Sequence, residues 1–419
     1  MINLKHYREN PDIYIQWCAA KRVIMDREQF NVLDGQVRDL KFQIDECNAQ
    51  RNTASASIQK LEKWGPDFLK AVSDVKILKE QIATLEALYA QAKAEFDILV
   101  LRIPAPPLAE VPVWWEEDNK VIKLIGTMPT YDFNPQAHDD ILTTKWYLDM
   151  ERAVKLSGSR FAMLKGKMVQ LQLALQQFVL MKLIKKWFTP VMVPFMVKEW
   201  PMLHTWYLPD AENWLYVVNP GEDDYYLIGT SEVPLISQHS GEVLDLSNGP
   251  IRYVWLSSCF RREAGSYGKD TKWLIRVHQF EKVEMVSFCK PEDASKEHEL
   301  LFAIENEIFT DLWLHYQQIL IASWDLWWPA AKKYDLEAWF PSQQAYREVT
   351  STSNTVDYQA RRANIKYQTD EGKEFVYSLN GTACALWRAL ACIVEQYQTA
   401  EWDVIVPEVL RDYMGCEKF

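Results

Sequence analysis

Two heptad-patterned stretches, separated by a helix-breaking tripeptide, constrain the first quarter of this chain more than any other feature. Phe30, Leu33, Val37, Leu40, Ile44 and Cys47 step by three and four, as do Ala71, Val75, Leu78, Ile82, Leu85, Tyr89, Ala92, Phe96 and Leu99. Such spacing puts apolar side chains on one stripe of a helix, which must bury that stripe against a partner. Trp64-Gly65-Pro66 interrupts the pattern. Pro66 suits a first helical position, where its missing N–H has no intrahelical acceptor to lose. The short connection predicts an antiparallel two-helix coiled-coil hairpin roughly 50 Å long, at about 1.5 Å per residue. By itself such a hairpin fits a dimerisation or chaperone-like coiled coil as well as a ligand-gripping arm. Ile103-Pro104-Ala105-Pro106-Pro107 ends the second helix, because proline cannot continue it, and a linker runs to about Asn119.

The remaining length allows a second, larger domain: the chain has 419 residues and 48% hydrophobic content, enough for a sizeable core. A helix is predicted over Lys167–Lys186, followed by Pro190-Val191-Met192-Val193-Pro194. β-like segments near 225–235, 251–260, 274–288, 319–324 and 334–340 predict a mainly antiparallel sheet, and a last helix starts near Ala385. The expected fold class is α+β, with a helical arm over 1–105 and a catalytic domain over 106–419. Seven scattered cysteines, with no C-x-x-C pair and no Cys/His cluster at zinc spacing, argue for a reducing cytoplasm and against structural zinc. No signal peptide and no run long enough to span a bilayer is evident, so no membrane partner is expected. The net charge of −12 weighs against nucleic acid. Residues 26–100 carry 10 basic against 13 acidic side chains, so any RNA contact must use local patches.

Chemistry concentrates between Phe260 and Glu284, in FRREAGSYGKDTKWLIRVHQFEKVE. Arg261 offers a fork of donors suited to phosphate. Glu263, two residues along the expected strand, points to the same face and accepts from an amino-bearing base. Phe280, returning on the next strand, offers a ring on which that base can lie. Together they describe a nucleotide held on an open antiparallel sheet without a glycine-rich phosphate loop. A charged hairpin with one buried aromatic is the plainer alternative.

The whole segment resembles motif 2 of class II aminoacyl-tRNA synthetases, specifically the seryl-tRNA synthetases, and the resemblance runs almost end to end. Arg8-Glu9-Asn10-Pro11 is similar to that family's opening, and Ile103-Pro104 through Val111-Pro112 to the exit from its arm. Ala153 to Phe161 resembles the entry to the catalytic domain, and Pro194 matches motif 1, the dimer-forming element. Thr230-Ser231-Glu232-Val233-Pro234-Leu235 resembles the Thr-x-Glu amino-acid element. Tyr346 to Ser351, and Asn380-Gly381-Thr382 through Arg388, match the last catalytic stretch and motif 3.

The resemblance implies a homodimer that activates L-serine with ATP and passes the seryl group to tRNA(Ser), gripped by the hairpin. tRNA(Sec) is a further candidate acceptor. It implies that Arg261 bridges the serine carboxylate and α-phosphate, beside Arg262. Glu263 would accept from adenine, and Phe280 and Arg388 would sandwich the base, Arg388 also holding the γ-phosphate. Glu348 and Ser351 would ligate Mg²⁺, with Val349 and Thr350 completing the nucleotide contact. Thr230, Ser231 and Glu232 would receive the ammonium, and Glu284, Asn380 and Thr382 the hydroxyl. A catalytically impaired RNA-binding or regulatory paralogue and an amino-acid:carrier-protein ligase are the competing readings. Retention of Arg261, Glu263, Glu348 and Arg388 argues against the first, and the hairpin against the second.

Composition raises a separate expectation. The chain has 18 Trp and 14 Gly, about 3% glycine where about 7% is ordinary. Trp sits in linkers and turns (Trp114-Trp115, Trp327-Trp328-Pro329) and beside expected ligands (Trp273, Trp324, Trp387). Most of these are positions where the family carries Gly or another small residue; Trp339 is the exception. Adding the other seventeen to the glycines restores an ordinary content. The sequence therefore reads as a translation in which UGA, a glycine codon in the source lineage, was rendered as Trp. The alternative is a genuinely Trp-rich paralogue.

Overall fold

A computed structural model describes the chain except Met1 and residues 59–60, 114, 210 and 264–273. Trp114, Trp273 and the Gly-, Lys- and Asp-bearing loop after Glu263 lie outside the described residues. Two compact units emerge, one of Leu4–Ala19 with Val23–Ile103, the other of Met1–Asn3, Ala20–Arg22 and Pro104–Phe419.

In the first unit, helices α1 (Arg27–Ile58) and α2 (Pro66–Leu101) form the hairpin. Phe30, Leu33, Val37, Leu40 and Ile44 are buried on one side, and Ile82, Ala92, Phe96 and Val100 on the other. Phe30 and Phe96 meet with ring centroids 5.0 Å apart. Gly65 caps α2 in an extended conformation, and Pro66 takes a first-turn position. Arg8 grips the buried Asp34 of α1 with both guanidinium edges, at 2.6 and 2.9 Å, which ties the N-terminal segment to the root of the hairpin.

The second unit is built on eight strands: β1 (Lys120–Ile125), β2 (Thr189–Pro190), β3 (Ile251–Phe260), β4 (Gln279–Cys289), β5 (Tyr316–Leu320), β6 (Lys332–Phe340), β7 (Ala345–Asn354) and β8 (Tyr377–Ala385). Their spatial order is β1-β5-β6-β7-β8-β4-β3-β2, antiparallel throughout except β2 with β3. Helices α3 (Lys167–Lys185), α4 (Glu232–Ser237), α5 (Ala294–Asp311), α6 (Tyr358–Ala363) and α7 (Leu386–Gln396) flank it. One large core joins α3, α5 and α7 to the sheet through residues such as Leu171, Leu175, Phe309, Leu336 and Leu390.

Three local expectations are corrected. The segment 225–235 is a strand only over Tyr225–Leu227. Glu232–Ser237 is helical, because Pro234 falls in a first turn, where its lost N–H costs nothing. Arg261 and Glu263 do not continue β3, which ends at Phe260; Glu263 takes φ +48° beyond it. Nor is 274–278 strand. His278 N–H donates to the Arg160 carbonyl instead of the ladder, and its ring and carbonyl serve Arg261. Regular pairing of β4 starts at Gln279.

The tryptophans sit badly. Fourteen described non-glycine residues have positive φ, and six are Trp: Trp64, Trp146, Trp187, Trp206, Trp313 and Trp402. A β-carbon pays for that conformation in steric strain, whereas glycine adopts it freely. Trp64, Trp146, Trp187 and Trp313 also leave more than 70% of their surface in water. Trp115 and Trp324 crowd to a centroid separation of 3.6 Å, closer than the roughly 4.5–7 Å usual for aromatic pairs. The indole N–H groups of Trp255 and Trp324 are buried without a hydrogen-bond partner. Trp339 differs, packing edge-on against Tyr346 at 5.1 Å.

Candidate active site

The open face of β4, β7 and β8, with the ends of β3 and α7, lines a single cleft. Thr230, Glu232, Arg261, Glu263, Phe280, Glu284, Glu348, Val349, Thr350, Ser351, Asn380, Thr382 and Arg388 all border it. Two expected members do not. Arg262 is exposed and engages the Trp214 carbonyl through its backbone N–H. Ser231 is buried before α4, its hydroxyl facing the Trp255 carbonyl at 3.4 Å. Neither lies in a strand: Arg262 follows the end of β3 and Ser231 caps α4, and the local backbone turns each away from the cleft that its neighbours face.

At the nucleotide end the Arg261 guanidinium lies 5.3 Å from the Phe280 ring centroid, and its Nε donates to the Gly229 carbonyl at 3.3 Å. Arg276 pairs with Glu263 at 3.5 Å. Arg388 extends from the first turn of α7 to donate to the Glu348 carbonyl at 2.9 Å, with its carboxylate 3.3 Å away. Desolvation would raise the Glu348 carboxyl, but Arg388, Lys333 and Arg261 outweigh it and hold the group below its ordinary value. Glu348 and Ser351 are oxygen donors on one strand. Among the described residues no cluster of three or more His, Cys, Asp or Glu could hold a metal alone. A cation here would therefore draw most of its shell from phosphate and water, which suits Mg²⁺.

The other end is a closed, polar corner. Thr230, Glu284 and Thr382 are buried. Lys282 reaches between the latter two, 2.5 Å from Glu284 Oε2 and 3.3 Å from the Thr382 hydroxyl. Glu232 accepts from Gln359 Nε2 at 2.6 Å and Asn380 Nδ2 at 2.9 Å. Burial and the neighbouring Glu284 push its carboxyl up to about 7, against the pull of Gln359, Lys282 and Arg261. The sequence reading missed Lys282, although it alternates with Phe280 and Glu284 on one strand face, a signal in plain view. It also missed Gln359, which no spacing marks.

Beneath the strands, α5 sends up Glu305. It is fully buried and accepts from the hydroxyls of Thr350, at 2.7 Å, and Thr352. Burial holds its carboxyl well above the ordinary range. Gly381, between Asn380 and Thr382, lies so close that a Cβ there would come within 2.9 Å of Glu305 Oε1. Glycine is what lets β8 settle onto this support.

An antiparallel sheet presenting paired arginines and acids over such a cleft defines the catalytic domain of a class II aminoacyl-tRNA synthetase. The family model described as tRNA synthetase class II core domain (G, H, P, S and T) matches residues 215–397, and the seryl-tRNA synthetase N-terminal domain matches 1–107. The serine–tRNA ligase of Methanoregula boonei is 38% identical over the whole of both chains. The crystal structure of seryl-tRNA synthetase from Pyrococcus horikoshii complexed with ATP superposes with TM-score 0.90 at 35% identity, covering 100% of this chain and 99% of that one. Cytoplasmic serine-tRNA ligase from Naegleria fowleri in complex with AMP gives 0.85 at 30%, covering 100% and 98%. The chain belongs to the seryl-tRNA synthetase family.

Proposed function

We propose that the chain activates L-serine with ATP, releasing pyrophosphate, and transfers the seryl group to the 3′-terminal adenosine of tRNA(Ser). The observation that carries this reading is the pairing, in one cleft, of a cationic nucleotide end (Arg261, Arg388) with a corner of buried polar groups (Glu232, Glu284, Lys282, Thr382). Activation is an in-line displacement at the α-phosphorus by the serine carboxylate, so the protein's work is positioning and charge stabilisation. Arg261 holds carboxylate and α-phosphate together, Glu263 and Phe280 fix adenine, and Arg388 holds the γ-phosphate. Glu348 and Ser351 hold Mg²⁺, which neutralises phosphate charge when bound. Glu232 and Thr230 receive the ammonium.

Glu284, Lys282 and Thr382 form the hydroxyl-reading wall. Alanine leaves those buried groups unpaired, which is costly. Threonine is opposed only by lack of room for one methyl. The hairpin of residues 1–105 is the tRNA-gripping arm, and a second copy of the chain covers the exposed Met192, Phe195 and Met196 around Pro194. We further propose that glycine stands at the seventeen suspect Trp positions in the protein as its own cells make it. Trp206, Trp214, Trp327 and Trp387 all border the cleft, and glycine there opens it. Aminoacylation of tRNA(Ser) with labelled serine tests the reading, using the chain both as written and with glycine at those positions. Charging by the glycine form supports it, and charging by neither form rejects it.

A further inference from the structure

Gln359, on α6, lies outside the cleft lining yet is fully buried directly behind Glu232. Its amide is held at both ends. The Ser378 and Thr355 hydroxyls face Oε1 at 3.0 and 3.2 Å, while Nε2 donates to Glu232 Oε1 at 2.6 Å. Turning the amide over would set its oxygen against the ionised carboxylate, two acceptors with no hydrogen between them, so Glu232 fixes the orientation. Thr355 in turn donates to the Ser378 carbonyl at 2.7 Å, anchoring the pair to β8. Asn380 shares the same carboxylate oxygen.

We infer that Gln359 is a positioning residue for amino-acid recognition. With Asn380 it saturates one oxygen of Glu232 and leaves the other for the incoming ammonium. The inference deepens the serine-activation reading and rests on it. The ionisable groups facing Glu232 are Glu284 and Lys282 from β4, Arg261 beyond β3, and the Tyr207 phenol. Among these influences the Gln359 N–H favours the ionised form, so its removal makes Glu232 harder to ionise.

The test is serine-dependent pyrophosphate exchange by the full chain, in whichever of the Trp and glycine forms is active, with Gln359→Met. We expect the KM for serine to rise about tenfold, roughly one lost hydrogen bond to a charged group. The KM for ATP should stay within about twofold. The serine defect should shrink as pH rises, because the acid limb of kcat/KM moves to higher pH. Ser378→Ala, which frees one side of the amide, should act in the same direction but less, and carries the test if Gln359→Met does not fold. An unchanged serine KM overturns the inference. So does an equal rise for serine and ATP, or a defect indifferent to pH, since either marks general loosening. If the parent shows no serine-dependent exchange in either form, the functional reading falls and takes the inference with it. An active parent with an indifferent variant removes the inference alone.

Discussion

Arg261 and Glu232 carry the most exposed claims at the residue scale. Arg261→Lys keeps the charge but loses the planar fork, and should lower kcat/KM in pyrophosphate exchange by about 10²- to 10³-fold with little change in thermal stability. Glu232 has its carboxyl raised to about 7, and it must be ionised to take an ammonium. The kcat/KM for serine should therefore climb as pH rises through about 7, while that for ATP stays flatter. The stability linkage has the matching sign: a raised carboxyl favours the fold below its unfolded value, and that contribution is lost as pH rises through the folded value. Most of these residues were legible because alternation on β4 and β8 dictates which side chains share a face. The same rule would have admitted Lys282, whereas Arg262 and Ser231 lie outside regular strand, where it gives no guidance. Gln359 was beyond reach, since only tertiary packing brings α6 against Glu232.

Boundaries between elements show where sequence patterns give way to packing. The hairpin was readable because a heptad seam has a single structural meaning over thirty residues. Phe96→Ala, at its buried base, should destabilise the arm by about 3–5 kcal/mol, seen as an earlier unfolding transition. Short elements were less legible. Thr230–Leu235 reads as β-like by composition, yet Glu232–Ser237 forms a helix, and 274–278 alternates but spends its hydrogen bonds on Arg160 and Arg261. The turns holding Trp64, Trp146, Trp187, Trp313 and Trp402 make a separate prediction. Glycine at each should stabilise the protein by about 1 kcal/mol, measured by denaturant titration, because it removes left-handed strain from a bulky residue. Peptide masses from the native cells should read glycine at these sites. Trp in those peptides, or UGG codons in the gene, contradicts the reassignment.

For the molecule as a whole, the proposed function assigns tRNA to the arm and amino-acid chemistry to the catalytic unit. Shortening α1 and α2 by matched turns should abolish charging of tRNA(Ser) while leaving pyrophosphate exchange within about twofold, because the polar corner and nucleotide end lie wholly in the second unit. The architecture was foreseeable from the chain, because a heptad hairpin, a proline-rich exit and an ordered set of strand-borne motifs leave few alternatives. The crowding of indoles around the cleft was foreseeable only as a compositional anomaly; the positive φ of Trp206 there, and of five tryptophans elsewhere, supplied its physical content. The most direct test of the central claim is ATP–pyrophosphate exchange by the glycine form with serine, alanine and threonine supplied separately. Serine should drive exchange, alanine should fail by at least about 10⁴-fold in kcat/KM, and threonine should fall between them. Exchange with alanine equal to that with serine would contradict a hydroxyl-reading corner built from Glu284, Lys282 and Thr382.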